Sequence, residues 1–154
     1  MSQSVINVIE INDNSIKLKA MQECDSAFSD SIIERDNFRE IYDKISSKAY
    51  FYIAEEINDK NSDILGYVAV YANDLNTGRA YISLISVKEK AQGKRIGTAL
   101  IEKCFEIARI KGMKEIRLEV LNSNNKAISF YRHHGFSFES YNDEGDSQYM
   151  IKEL

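Results

Sequence analysis

The sequence predicts an α/β fold of α+β character, a central mixed β-sheet flanked by helices, in a single domain spanning residues 1–154. Three observations carry this. β-Branched and aromatic residues fill short runs at 50–57, 64–71 and 79–87, apolar residues recur at helical steps between 95 and 111, and a glycine-bearing hinge, "AQGKRIG", joins the last of those runs to that helix. Read end to end, the order is strand, two helices, three strands, helix, strand, helix and two strands, in which helices cover the faces of a sheet.

Residues 5–11 alternate as a strand, and 15–28 and 37–47 carry helical periodicity around a polar break. The runs at 50–57 and 64–71 are separated by the turn formers "NDKNSD" and read as a hairpin. A second turn, "DLNTG", leads into "RAYISLISV", a strand ending at Val87. From 95 to 111, Ile96, Leu100, Cys104, Ile107 and Ala108 form the stripe of a helix packed on one face, stopped by Gly112. Residues 115–121 then form a short strand, 124–134 a helix closed by Gly135, and 136–141 and 148–152 two strands hinged at "NDEGD". No internal repeat interrupts this order.

Composition sets the bounds. At 44% hydrophobic and 29% charged, the chain can bury a full core, and its net charge of −4 speaks against a nucleic-acid footprint, which needs a basic face. The longest apolar run, 65–72, is too short to cross a bilayer, and the polar start "MSQSVINVIE" has no signal-peptide core, so a cytoplasmic location with no membrane partner is expected. Cys24 and Cys104 stand 80 positions apart with no metal-binding spacing, so reduced thiols and no metal site are expected. A homodimer is compatible with the chain.

The hinge raises the chemical question. A strand that turns into a helix through small residues leaves the first helical N–H groups pointing outward together, an arrangement suited to an anion, with Lys94 and Arg95 adding positive charge. A plain turn with a solvated basic pair fits the same residues. A P-loop is excluded because Arg95, not Ser or Thr, follows Lys94, and a dinucleotide fingerprint needs three glycines after an early strand.

Gln92, Gly93, Lys94, Arg95, Ile96 and Gly97 resemble the signature of the GNAT superfamily of acetyl-CoA-dependent N-acetyltransferases: Gln or Arg, two residues, Gly, one residue, then Gly or Ala. Arg95 departs from it by standing where the pattern has its first glycine. A second segment resembles the family's later half, with Asn124, Ala127, Tyr131, Gly135 and Phe136 at matching spacing. The resemblance covers roughly 50–154, while the first 48 residues agree in element order alone, where the family varies with substrate.

The resemblance implies acetyl-CoA as co-substrate and an amine as acceptor. Backbone amides from Gly93 to Thr98 would hold the pyrophosphate, while Ile85 and Val87 would bond the pantetheine arm through their backbone. A backbone N–H near Ile85 would face the thioester oxygen. Asn124 would bond pantetheine or cap its helix, two compatible roles. Tyr131 matches the tyrosine that protonates the leaving thiolate, although Ala127, Ile128, Tyr131 and His134 also make a packing stripe.

"RAYISLISV" lacks the glutamate that many relatives carry there, so Glu119 is the candidate base. Strand alternation sets it with Arg117, opposite Ile116, Leu118 and Val120, facing either a wet cleft or a neutralising cation. A water relayed by Tyr81 or Ser83 would serve instead. His133 and His134 are expected to be structural, and Cys104 to belong to the core. The expected activity is acetyl transfer to a small-molecule amine, such as an amino sugar or amino acid. A protein N-terminus as acceptor, as in ribosomal-protein acetyltransferases, and a non-catalytic acyl-CoA-binding module are the alternatives.

Overall fold

The computed structural model describes residues 5–58 and 61–154. Strand β1 (Val5–Glu10) leads to helix α1 (Asn14–Glu23), which Asp13 caps by accepting from the Ser15 N–H at 2.8 Å. Helix α1 buries Lys17, Ala20 and Met21, and the Lys17 ammonium escapes an unpaired burial by donating to the Ser46 carbonyl at 3.2 Å. Helix α2 (Phe38–Lys48) follows, with Ile45 fully buried. Strands β2 (Tyr50–Ile57) and β3 (Ser62–Tyr71) form the expected hairpin, with a register shift between Ala54 and Glu55, and β1 pairs antiparallel with β2. Part of the "NDKNSD" turn, residues 59 and 60, lies outside the described residues.

Strand β4 (Arg79–Val87), helix α3 (Ile96–Ile110), strand β5 (Glu115–Leu121), helix α4 (Asn125–His133) and strands β6 (Ser137–Tyr141) and β7 (Ser147–Glu153) complete the chain. Among the described residues the seven strands form one mixed sheet in the order β1-β2-β3-β4-β5-β7-β6, flanked by four helices. The parallel pair is β4 with β5, joined through α3, as a crossover between parallel strands requires. No helix among the described residues is long and apolar enough to cross a membrane.

The chain divides into two compact units: residues up to 70 with 84–104, and 71–83 with 105–154. In the first unit Met21, Ile45, Phe51, Tyr67, Val68, Leu100 and Ile101 are essentially closed to solvent. Glycine at 66 is a packing requirement there, because a Cβ would come within 2.7 Å of the Ser86 carbonyl and 3.2 Å of Leu100 Cδ1. In the second unit the large side chains of Ile116, Leu118 and Met150 are essentially closed to solvent, and the Phe105 and Phe136 rings meet at 5.9 Å.

Two features depart from the expected elements. The helix predicted to reach 28 ends at Glu23 and passes into a 3-10 turn, Asp25–Ala27. Asp25 gathers the N–H groups of Ile32 (2.8 Å) and Ile33 (3.2 Å) and the Ser31 hydroxyl (2.6 Å), a local alternative to continuing the helix. The hinge also contains a 3-10 turn, Glu89–Ala91, which buries Ala91 before the chain reaches α3.

Candidate functional site

In the first unit, alternation at the end of β4 turns Ser86 inward, where its hydroxyl donates to the Cys24 carbonyl at 2.8 Å. Ile85 and Val87 on the other face are half-buried. The Lys88 N–H still bonds the Leu65 carbonyl of β3, at 2.8 Å, so the chain leaves the sheet only after Lys88. Gln92, the first residue of the signature, donates from Nε2 to the Val87 carbonyl at 3.2 Å and ties the hinge back to the strand.

Gly93 and Arg95 then both adopt the left-handed backbone region, at φ 84° and 64°. Arg95 thus keeps the conformation that a glycine would take without strain. Nothing lies within 4 Å of the position a Gly93 Cβ would occupy, so the hinge presents open backbone there. The helical ladder of α3 begins with Ala99 N–H bonding the Arg95 carbonyl at 3.1 Å, which leaves first-turn N–H groups directed beyond the helix end.

Four cations lie along this segment, and two are consumed internally. Lys88 Nζ bonds Glu23 at 2.8 Å and Asp63 at 3.3 Å, and Lys90 also bonds Asp63. Burial alone would lower the Lys88 pKa, but its bonds to the two carboxylates outweigh that and raise it. Lys94 and Arg95 are exposed, and no ion pair holds either among the described residues.

In the second unit, Ile116, Leu118 and Val120 of β5 are buried, and Arg117 and Glu119 share the opposite face. Glu119 is exposed and accepts from the Ser147 hydroxyl. Ser147 is itself fixed by Asn142, whose Oδ1 accepts its N–H at 3.1 Å and whose N–H donates to its carbonyl at 3.0 Å. Arg117 turns instead to Glu139 (Nε to Oε1, 2.8 Å), with its guanidinium 3.6 Å from the Tyr149 ring centroid. Glu119 is thus solvent-exposed, and Arg117 is engaged by Glu139 instead of by it.

Tyr81, paired with Arg117 across β4 and β5, has its phenol pushed up to about 12, chiefly by burial, with the charge of Glu119 adding. Tyr81 is therefore a protonated donor at neutral pH. The Tyr71 phenol is likewise pushed up by burial, with the neighbouring Ser83 acting in the opposite direction.

Asn124 caps α4 by accepting the Ala127 N–H at 3.1 Å. About two turns further on, Tyr131 is 9% exposed, with Phe130 and Phe136 edge-on to its ring at 5.6 and 5.8 Å. His133 and His134 hold perpendicular rings at the helix end, and no cluster of metal-ligating side chains occurs among the described residues. Cys104 is fully buried, which drives its thiol pKa up and keeps it from acting as a thiolate. Sequence reasoning missed Glu139, Ser147 and Tyr149 as the partners of Arg117 and Glu119, because only the β5–β7 and β6–β7 registers bring them together.

The sheet order, with β4 and β5 paired in parallel through the α3 crossover, and the hinge conformation define an acyltransferase-like architecture. The family model described as Acetyltransferase (GNAT) family matches residues 18–136, and the chain belongs to that family. It is 29% identical over 90 residues to the spermine/spermidine N(1)-acetyltransferase of Bacillus subtilis, covering 58% of this chain and 59% of that protein. To the thialysine N-epsilon-acetyltransferase of Mus musculus it is 42% identical over 57 residues, 36% of this chain and 34% of that one. The chain thus spans about three fifths of the first of these curated relatives and about a third of the second. Among solved structures, a GNAT family acetyltransferase from Elizabethkingia anophelis with acetyl-CoA bound superposes with a TM-score of 0.72 at 20% identity, over 97% of this chain and 98% of that one. At that identity the likeness is one of fold.

Proposed function

We propose that the chain is an acetyl-CoA-dependent N-acetyltransferase that moves an acetyl group to a primary amine by direct attack in a ternary complex. The observation that carries this is the backbone of the hinge. Gly93 and Arg95 both hold left-handed conformations beside the start of α3, with open space at Gly93 and two cations without internal partners. Such a cradle suits a pyrophosphate.

Acetyl-CoA would supply the activated acyl group. Gln92 would keep the hinge against β4, while the N–H groups of Gly93, Lys94, Arg95, Ile96, Gly97 and Thr98 bind the pyrophosphate. Ile85 and Val87 would align the pantetheine through their backbone, with an N–H near Ile85 facing the thioester oxygen as negative charge grows on it. Asn124, whose cap uses Oδ1, keeps its amide nitrogen as a donor for the pantetheine. Tyr131 would give its phenolic proton to the departing sulfur, and Glu119, exposed and held by Ser147, would take the proton from the ammonium.

The acceptor we infer is a small-molecule amine. The matched relatives named for spermine, spermidine and thialysine support that class. A non-catalytic acyl-CoA-binding module is the second reading, favoured by Arg95 at the glycine position.

The test is thiol release from acetyl-CoA over a panel of spermidine, thialysine, an amino sugar, an amino acid and a peptide with a free N-terminus, alongside thermal melts. Acetyl-CoA is expected to raise the melting temperature of the wild type and not of Gly97→Val, whose branched side chain would block approach to the backbone. Stabilisation without thiol release for any amine would leave the binding module, and equal stabilisation of both proteins would remove the hinge assignment.

A further inference from the structure

Glu119 and Ser147 meet because of strand register. In the second unit β5 and β7 pair with Glu119 opposite Tyr149 and Leu121 opposite Ser147, so Ser147 shares the face of Glu119 as its diagonal neighbour. Ser147 is 3% exposed, and its hydroxyl donates to Oε2 of the Glu119 carboxylate, a group that only accepts when ionised. No hydrogen bond engages Oε1 among the described residues, which leaves it as the free acceptor of an exposed side chain.

A hydroxyl orients a carboxylate only as well as it is itself fixed. Asn142 grips Ser147 twice, accepting its N–H through Oδ1 at 3.1 Å and donating its own N–H to the Ser147 carbonyl at 3.0 Å. Asn142 is locked in turn, because its Nδ2 donates to Asp146 Oδ1 at 2.8 Å and its carbonyl accepts the Gly145 N–H at 3.1 Å. The turn is then fastened to the end of β5, where the Asn122 N–H bonds the Asp146 carbonyl at 3.0 Å and Asn122 Nδ2 bonds the Gly145 carbonyl at 2.9 Å. Arg117, the cation on the same face of β5, is drawn off by Glu139 at 2.8 Å and by the Tyr149 ring. An exposed glutamate ordinarily moves among several rotamers. This one is held by a buried, doubly anchored donor, and no ion pair neutralises it among the described residues.

We propose that Ser147 is the positioning residue of the base: by holding Oε2 it sets the Glu119 carboxylate so that Oε1 takes the proton of the acceptor ammonium, with the 142–146 turn as the frame that keeps Ser147 in place. The ammonium gives one proton to Oε1 and becomes the neutral amine that attacks, and Glu119 becomes the neutral acid. This rests on the acetyltransferase reading with Glu119 as base, and goes beyond it by naming the group that orients the base and the oxygen left to act. Ser147 works through Glu119 and touches neither substrate. Its loss therefore lowers kcat and kcat/KM alike and leaves KM unchanged.

The experiment is a double-mutant cycle of wild type, Ser147→Ala, Glu119→Gln and the double variant on the best amine of the panel, measuring kcat, KM for each co-substrate and the thermal melt. Alanine removes the hydroxyl and keeps both backbone bonds to Asn142. Ser147→Ala is expected to lower kcat about tenfold, less than the roughly hundredfold expected when the base itself is lost, with both KM values unchanged. In the Glu119→Gln background the same change is expected to lower kcat by less than about twofold, because the group it orients is already gone. Ser147→Thr, which keeps the hydroxyl, is expected to recover most of the lost turnover. Equal losses in the two backgrounds overturn the proposal, since a loosened strand slows either protein alike. Threonine no faster than alanine overturns it too, as does a rise in both KM values with a lowered melt. Should the wild type release no thiol with any amine, the acetyltransferase reading falls and this inference with it. Full activity of Glu119→Gln removes the base and its positioning residue together, whereas a slowed Glu119→Gln beside an unchanged Ser147→Ala removes the role of Ser147 alone.

Discussion

Replacing Arg95 by glycine is expected to stabilise the protein. Arg95 holds φ at 64°, where a side chain crowds its own backbone. The strain of one non-glycine residue in this region is about 1–2 kcal/mol. Glycine recovers it but gives the unfolded chain more freedom, which offsets about 0.4–1 kcal/mol. The net gain is about 0–1.6 kcal/mol, with a midpoint of about 0.8 kcal/mol that corresponds to roughly 2–3 °C in melting temperature for a chain of this length. Arg95→Ala is the control, since it removes the guanidinium and keeps the strained backbone. The assay is differential scanning calorimetry of all three proteins with and without acetyl-CoA. The glycine variant should melt highest and still be stabilised by acetyl-CoA, because the backbone that binds is unchanged. A glycine variant melting below both others would show that position 95 is not strained and that its side chain holds the hinge. Retained stability with acetyl-CoA stabilisation lost in both variants would assign binding to the guanidinium.

Two further substitutions address the chemical roles. Tyr131→Phe should lower turnover by about a hundredfold, the lower range for a lost general acid, with little change in acetyl-CoA affinity. Turnover unchanged under rate-limiting chemistry would return the residue to its packing between Phe130 and Phe136. Glu119→Gln should depress kcat/KM most near pH 7 and progressively less at higher pH, where free amine is abundant. Because Glu119 is exposed and Arg117 is engaged with Glu139, the melt should move by no more than about 0.5 kcal/mol. Parallel pH profiles would reject the base and favour a water relayed by Tyr81 or Ser83.

Much of the fold was legible in the sequence because it is set by local pattern. The predicted bounds of β2, β4 and β5 coincide with the observed strands, since β-branched and aromatic runs there end at turn residues on both sides. The helix after Asn124 was legible from its cap, which the structure forms through Ala127. The early end of α1 was not, because it depends on Asp25 reaching residues seven and eight positions ahead. The surroundings of Glu119 escaped for a related reason. Alternation gave its face and its neighbour Arg117 correctly, yet Arg117 is drawn to Glu139 on a strand whose register is shifted between Phe138 and Ser140. At Arg95 the sequence marked the unusual residue but not its backbone angle, which arises from the path between Gln92 and the buried Ile96.

The Lys88 ammonium joins the end of α1, through Glu23, and the start of β3, through Asp63, to the end of β4. The hinge that follows is therefore not a portable module. Its geometry depends on chain segments 65 and 25 positions upstream. A chimera that exchanges the first two helices for those of another family member, in order to change acceptor preference, would also exchange the carboxylate that braces the hinge. Such grafts should carry an acidic residue at position 23, or the donor helix will import a new substrate preference together with an unsupported hinge.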